Sequence, residues 1–173
     1  MARRKRVTPG GYAYHVCNRG SRKGVILRTY EDYSNFITLI NAAREKFRMR
    51  ILAHNLLGNH FHFVLWPRGD DDVPRFMKWL EQKHAQRFHR KGGTVGSGAV
   101  FQGRYVSRMI SEDRKLFTAL RYVESNARRH GFVKRAEDWP WCSAWNRAPI
   151  GPTVVIDDSP VLRPSNWLDF LND

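Results

Sequence analysis

The sequence has few cysteines and no long hydrophobic run, and both features limit the classes of protein to which the chain can belong. Its two cysteines, Cys17 and Cys142, are far apart and form no Cys-x-x-Cys pair, which fits a reducing cytosol, and neither is needed for a metal site. No apolar stretch approaches the length of a membrane span, and the basic start at Arg3–Arg6 is not followed by the apolar region of a signal peptide. We therefore expect a cytoplasmic protein without a signal peptide or a transmembrane helix.

Acidic residues are also scarce: 16 Asp and Glu stand against 30 Lys and Arg, which gives a net charge of +14 in 173 residues. Such an excess predicts a polyanionic partner, and nucleic acid is favoured over a membrane surface because no strongly amphipathic basic helix stands alone. The charge is uneven. Residues 148–173 contain four Asp and one Arg, which leaves +17 on residues 1–147.

This distribution suggests three regions: a basic arm (1–10), a single domain (11–147) and an acidic tail (148–173). The arm has two equally weighted interpretations, a solvated disordered tail or a segment that contacts phosphates. At 42% hydrophobic residues the chain can build a core. The tail has a weak pattern until Trp167–Leu171, which is a candidate docking segment.

Hydrophobic periodicity predicts the order β-α-β-β-α-β-α. The strands are expected at 12–18, 50–57, 58–66 and 100–110, and the helices at 30–47, about 73–90 and about 111–129. Thr29 is the expected N-cap of the first helix. The first six elements match the ferredoxin-like split βαβ arrangement, so we predict an α+β fold with a ferredoxin-like or RRM-like antiparallel sheet of four to five strands. In that topology the third strand, which carries His60, is central.

The third predicted strand places His60 and His62 on one face, because side chains alternate along a strand. The opposite face is formed by apolar residues that look like core: Phe61, Phe63 and Leu65. Two adjacent imidazoles can share one metal ion. The simpler interpretation is a half-exposed pair of histidines that binds no ligand.

The last predicted helix carries a tyrosine and an amide away from its apolar stripe, which consists of Leu116, Leu120, Val123 and Ala127. Tyr122 and Asn126 are four residues apart and are expected on the opposite side. On its own this pattern favours an ordinary exposed tyrosine. Beside the two histidines, Asn126 becomes a candidate third metal ligand and Tyr122 a candidate nucleophile.

Five sequence blocks together resemble the single-tyrosine transposases of the HUH class, and within them the REP-associated tyrosine transposases of bacteria. The resemblance covers approximately residues 12–147. Its blocks are Tyr14-His15-Val16-Cys17-Asn18-Arg19-Gly20, Gly58-Asn59-His60-Phe61-His62, Phe101-Gln102-Gly103-Arg104-Tyr105, Arg121-Tyr122-Val123-Glu124-Ser125-Asn126 and Asp138-Trp139-Pro140-Trp141-Cys142-Ser143. Five blocks in the right order are far more specific than any one of them.

The resemblance implies a metal-dependent endonuclease and transesterase that nicks and rejoins single-stranded DNA, with REP-type hairpins as the expected target. It implies Tyr122 as the nucleophile that forms a 5′-phosphotyrosine. His60, His62 and Asn126 would hold Mg²⁺ or Mn²⁺, and the helix of Tyr122 would lie on the sheet face opposite the other helices. The expected DNA-binding residues are Arg3, Arg4, Lys5, Arg6, Asn18, Arg19, Arg104, Arg128 and Arg129. We expect a nucleoid-associated monomer or homodimer without a membrane partner.

Two positions depart from the family pattern: Gly58 and Ala127 stand where the family usually has proline, which changes backbone stiffness rather than chemistry. Two other functions compete with this one. A non-catalytic RRM-like nucleic-acid binder would need aromatic residues where the central strand offers His60 and His62. A zinc hydrolase would need a third His, Cys or carboxylate ligand and a general base, and no residue has obvious spacing for these roles.

Overall fold

A four-stranded antiparallel sheet forms the centre of the computed structural model, which describes residues 7–173. The predicted DNA contacts of Arg3, Arg4, Lys5 and Arg6 lie outside the described residues. The strands are β1 (Ala13–Arg19), β2 (Arg50–Leu56), β3 (His60–Trp66) and β4 (Val106–Ile110). Their order is β2-β3-β1-β4, which is the ferredoxin-like arrangement, and it confirms that the histidine strand is central.

Helices cover both faces of this sheet. They are α1 (Tyr30–Phe47), α2 (Asp72–Gly92), α3 (Asp113–Glu124), α4 (Asn126–Arg129) and α5 (Trp167–Asn172). The first hydrophobic cluster joins Phe61, Phe63 and Leu65 of β3 to α1 and α2, and the second joins Val64 to α3 and α5. The predicted α+β fold is therefore confirmed, with α1 and α2 on one face and the helix of Tyr122 on the other. None of the helices in residues 7–173 has the length and apolarity needed to traverse a bilayer.

Residues at the two ends of the first helix determine its boundaries, which agree with the prediction. The Thr29 hydroxyl accepts a hydrogen bond from the Asp32 amide, and the Asp32 carboxylate accepts one from the Thr29 amide. This capping box satisfies backbone donors that would otherwise lack partners at the helix start. The helix ends at Phe47, since Arg48 takes the left-handed conformation.

The fourth strand is shorter than predicted, and this boundary was wrong. Residues 100–105 leave the sheet: Phe101 makes only an isolated bridge to Gly20, and Gly103 has a φ of 145°. A positive φ suits glycine and bends the chain out of the extended form. The segment around Gln102 therefore forms a rim beside β1 rather than part of β4.

The C-terminal residues pack against the domain. The Asp157 carboxylate accepts hydrogen bonds from Arg44 Nε at 3.0 Å and from the Ile51 amide at 2.9 Å. The candidate docking segment forms α5, and its Trp167 and Leu171 join the hydrophobic cluster under α3. The segment thus supports the helix that carries Tyr122.

A buried carboxylate joins this segment to α3. Glu124 is 2% exposed, and it accepts hydrogen bonds from Arg163 Nη2 at 2.8 Å and from Trp167 Nε1 at 2.6 Å.

Replacing Glu124 with Ala should lower the free energy of unfolding by about 3 kcal/mol, because both donors lose their buried partner. Denaturant unfolding measures this. The control is the exposed ion pair of Glu112 with Lys115, since Glu112→Ala should lower the free energy of unfolding by less than about 1 kcal/mol. Equal losses of stability in the two variants would contradict the stabilising role of the buried Glu124 carboxylate.

Candidate functional site

An open cleft of about 760 Å³ lies over the end of the sheet where β1 and β3 meet the rim segment. Its walls include His60, His62 and Tyr122, and its rim includes Arg19 and Arg104. Residues from four separate parts of the chain therefore converge here. A cleft of this size, lined by histidines, a tyrosine and arginines, has the chemistry to take a phosphate-bearing ligand.

Strand alternation brings the two predicted histidines together on the α3 face of β3. Their ring centroids are 5.2 Å apart. His60 Nε2 lies 3.3 Å from Asn126 Oδ1, and His60 Nδ1 lies 2.7 Å from Asn59 Oδ1. The structure thus places all three predicted ligands side by side, with Asn59 orienting the first imidazole.

Burial keeps both imidazoles neutral. It lowers the pKa of His62 to about 3, with further lowering from His15, His60 and His130. Burial also lowers the pKa of His60, against a hydrogen bond to Asn126 that raises it. A neutral imidazole has a free lone pair at physiological pH, which is the form that binds a metal ion.

Asn126 is buried, at 1% exposure, and does not share the exposed surface of Tyr122, which is 37% exposed. The predicted helix to about residue 129 was wrong only in its continuity: α3 ends at Glu124, and α4 begins at Asn126. Ser125, with ψ near −1°, interrupts the helix, and the Asn126 amide that follows it lies against His60. Ala127 lies in the first turn of α4, where proline is also tolerated, so this departure from the family pattern suits the same backbone.

Tyr122 stands directly over the histidines of its own chain. Its ring centroid is 5.6 Å from that of His62 and 5.5 Å from that of His15. The Arg129 guanidinium lies 5.4 Å from the centre of the Tyr122 ring. The helix is therefore docked with its tyrosine beside the predicted metal ligands and a positive charge beside the phenol.

Two further residues of this cluster, His15 and Cys17 on β1, were not predicted from the sequence. Cys17 pairs with His62 in the sheet register, and His15 Nε2 lies 3.0 Å from His62 Nδ1. Period-two alternation along the first predicted strand, combined with its predicted place beside the histidine strand, could have identified both. Sequence spacing offered no obvious third His or Cys ligand for a zinc hydrolase, whereas strand pairing brings His15 and Cys17 beside His62.

Three predicted DNA-binding residues stand at the rim. Arg19 and Arg104 border the cleft, and Arg19 Nε donates a hydrogen bond to Gln102 Oε1. Asn18 is buried, and its Nδ2 donates to Glu81 Oε1 at 2.7 Å and to Gly103 O at 3.1 Å. Its amide therefore holds the rim segment in place, and its direct contact with DNA stays a prediction.

The other two predicted DNA-binding arginines lie on α4. Arg128 Nη1 is 3.4 Å from the Leu171 carbonyl oxygen, so this guanidinium faces the C-terminal segment. Arg129 instead faces the Tyr122 ring. Contact of either arginine with DNA stays a prediction. Of the two, Arg129 is better placed to contact a phosphate at Tyr122.

Comparison with known proteins gives three consistent similarities. Residues 10–126, about two thirds of the chain, match the family model described as "Transposase IS200 like". A "REP-associated tyrosine transposase" of Escherichia coli is 27% identical over 167 residues, which cover 95% of this chain and 88% of that protein. The solved "Structure of the REP associates tyrosine transposase bound to a REP hairpin" aligns with a TM-score of 0.66 at 22% identity, covering 93% of this chain and 96% of that one. This last likeness supports the fold.

Proposed function

Because the chain belongs to the IS200-like transposase family, we propose that it nicks and rejoins single-stranded DNA at REP-type hairpins through Tyr122. One observation carries the proposal: Tyr122, His60 and His62 line one cleft, and Asn126 lies against His60, although the strand and the helices that carry them are distant in sequence. The names of its relatives support the hairpin as the substrate.

The residues present fit the divalent metal that the family implies. Two imidazoles and one amide oxygen form the donor set, and His60 Nε2 and Asn126 Oδ1 are 3.3 Å apart. Imidazoles favour Mn²⁺ and phosphate substrates favour Mg²⁺, so we propose one of these two ions. When bound, it would polarise the scissile phosphate.

The chain's own residues supply the nucleophile and its surroundings. The Tyr122 oxygen forms a bond to phosphorus as the bond from phosphorus to the 3′ oxygen breaks, which leaves a 5′-phosphotyrosine and a 3′-hydroxyl. Attack by a 3′-hydroxyl reverses the step and joins strands. Arg129 beside the ring stabilises negative charge that develops at the phenol oxygen. Nicking of a labelled hairpin oligonucleotide in the presence of Mn²⁺ tests this function.

The structure offers little for the non-catalytic RRM-like alternative. Such a module binds nucleic acid on an open sheet face. Here α1 and α2 cover one face, and α3 with α5 covers much of the other. The accessible part of this second face includes the cleft with its histidines, which supports a metal site over a surface for base stacking.

Binding to hairpin DNA should be tight and strongly salt-dependent, because residues 1–147 carry the excess charge. Arg19→Ala and Arg104→Ala should each weaken binding and lower the slope of log affinity against log salt by about 1. Deletion of Arg3–Arg6 should weaken binding as well. Fluorescence anisotropy at several salt concentrations measures these slopes.

A control for the rim arginines is Arg75 on α2, which lies on the other face of the sheet and has 69% of its side chain exposed. Arg75→Ala removes the same charge and should leave the slope nearly unchanged. Affinity that does not change between low and physiological salt would contradict the polyanion interpretation.

A further inference from the structure

A second set of metal donors lies on the sheet side of the cleft, formed by His15, Cys17 and His62. One donor atom from each side chain lies within 4.8 Å of the others. We propose that these three residues bind a thiophilic cation of the Zn²⁺ class, and that its binding withdraws His62 from the set it forms with His60 and Asn126. Binding of the cation stands alone, whereas the withdrawal of His62 rests on the proposed function.

The donors are held by the two central strands. Cys17 is directly opposite His62 in the antiparallel pairing of β1 with β3, and His15 follows at the next position on the same face. His15 Nε2 and His62 Nδ1 are 3.0 Å apart, with the two rings nearly parallel at 17°. Backbone hydrogen bonds on both sides of β1 fix these positions, so the donors need little rearrangement to converge on one ion.

Donor chemistry selects the kind of cation. Two imidazole nitrogens and one thiolate sulfur match Zn²⁺ and Co²⁺ sites, whereas Mg²⁺ prefers oxygen ligands. Binding replaces the S–H bond of Cys17 with a metal–sulfur bond and releases the proton to solvent. Burial raises the pKa of the Cys17 thiol, and the nearby Arg108 and Arg19 partly oppose this rise. A protein ligand set of three leaves the fourth tetrahedral position open.

The two sets exclude each other at His62. A neutral imidazole has one lone pair, on either Nδ1 or Nε2. With Nδ1 facing His15, Nε2 is the nitrogen left to serve with His60 and Asn126. Once Nδ1 binds a soft cation, Nε2 carries the proton and has no lone pair for a second ion. The expected consequence is inhibition of nicking by Zn²⁺ in competition with the activating ion.

Cobalt titration tests the site on the full-length chain without DNA. Wild type should develop the near-ultraviolet sulfur-to-cobalt absorption band, and Zn²⁺ should remove it. Cys17→Ser should lack the band. The matched control is Cys142→Ser, which should keep it, because Cys142 is buried elsewhere with its thiol against the Glu124 carbonyl. A missing band in wild type, or a band that survives in Cys17→Ser, would overturn the site.

Zinc inhibition tests the competition. Nicking is measured at a fixed Mn²⁺ concentration while Zn²⁺ is added, and each protein is compared with its own rate without zinc. The Zn²⁺ concentration that halves nicking should be at least about tenfold higher for Cys17→Ser than for wild type. If this Zn²⁺ concentration is the same in both proteins, the proposed competition of the two metal sites for His62 is overturned. If wild type shows no nicking under any condition, the proposed function fails, while the cobalt band still decides whether the thiolate site exists.

Discussion

Tyr122→Phe should abolish both the nick and the covalent protein–DNA adduct, while folding, metal binding and hairpin affinity stay at wild-type levels. Only the phenol oxygen can form the ester, so its removal leaves no reaction rather than a slower one. Tyr122 is 37% exposed, and loss of one hydroxyl from such a side chain should change stability by less than about 0.5 kcal/mol. A denaturing gel of protein incubated with labelled hairpin and Mn²⁺ shows the adduct as a shifted band.

Another exposed tyrosine provides the control. Tyr12 is 45% exposed, and Tyr12→Phe should keep the shifted band. A band that persists in Tyr122→Phe would move the nucleophile elsewhere, and Tyr105 and Tyr14 would be the next candidates. Both are poorly placed, since they are 6% and 2% exposed, and the Tyr14 hydroxyl donates a hydrogen bond to the Pro9 carbonyl.

His60→Ala and His62→Ala should each eliminate metal-dependent cleavage, with a loss of at least about a hundredfold in nicking, because each removes one donor from a set of three. Most of the DNA affinity should remain, since it comes from arginines and lysines. Calorimetric titration with Mn²⁺ should show weakened binding in both variants.

The control for these substitutions is His89→Ala, because His89 lies on α2 with its ring against the Thr94 hydroxyl. It should bind Mn²⁺ and cleave like wild type. Wild-type Mn²⁺ affinity in His60→Ala or in His62→Ala would remove that histidine from the metal site.

The parts of the fold that the sequence predicted well are those with strong local signals. The helix Tyr30–Phe47 has a capping box at Thr29 and a clear apolar period, and both boundaries agree. The strand His60–Trp66 alternates cleanly, and its central position followed from the order of elements. These features depend on neighbours in sequence or on a common topology.

Features that depend on pairing across the fold were missed or misplaced. His15 and Cys17 belong to the cluster because β1 pairs with β3, so alternation within β1 identifies them only when that pairing is also considered. The interruption at Ser125 between α3 and α4 was also missed, because a helical wheel assumes an unbroken helix. Glu124 would be expected in solvent, yet the C-terminal segment brings Arg163 to it.

Peptide mapping of the trapped adduct tests the central claim most directly. Wild-type protein is incubated with hairpin DNA and Mn²⁺, digested with protease and nuclease, and analysed by mass spectrometry for the residue that retains a phosphonucleotide. We predict a single modified peptide with the added mass on Tyr122, absent from His60→Ala and His62→Ala. A modification on any other residue, or on Tyr122 in the absence of both histidines, would contradict the assignment of this cleft as a metal-dependent tyrosine nuclease.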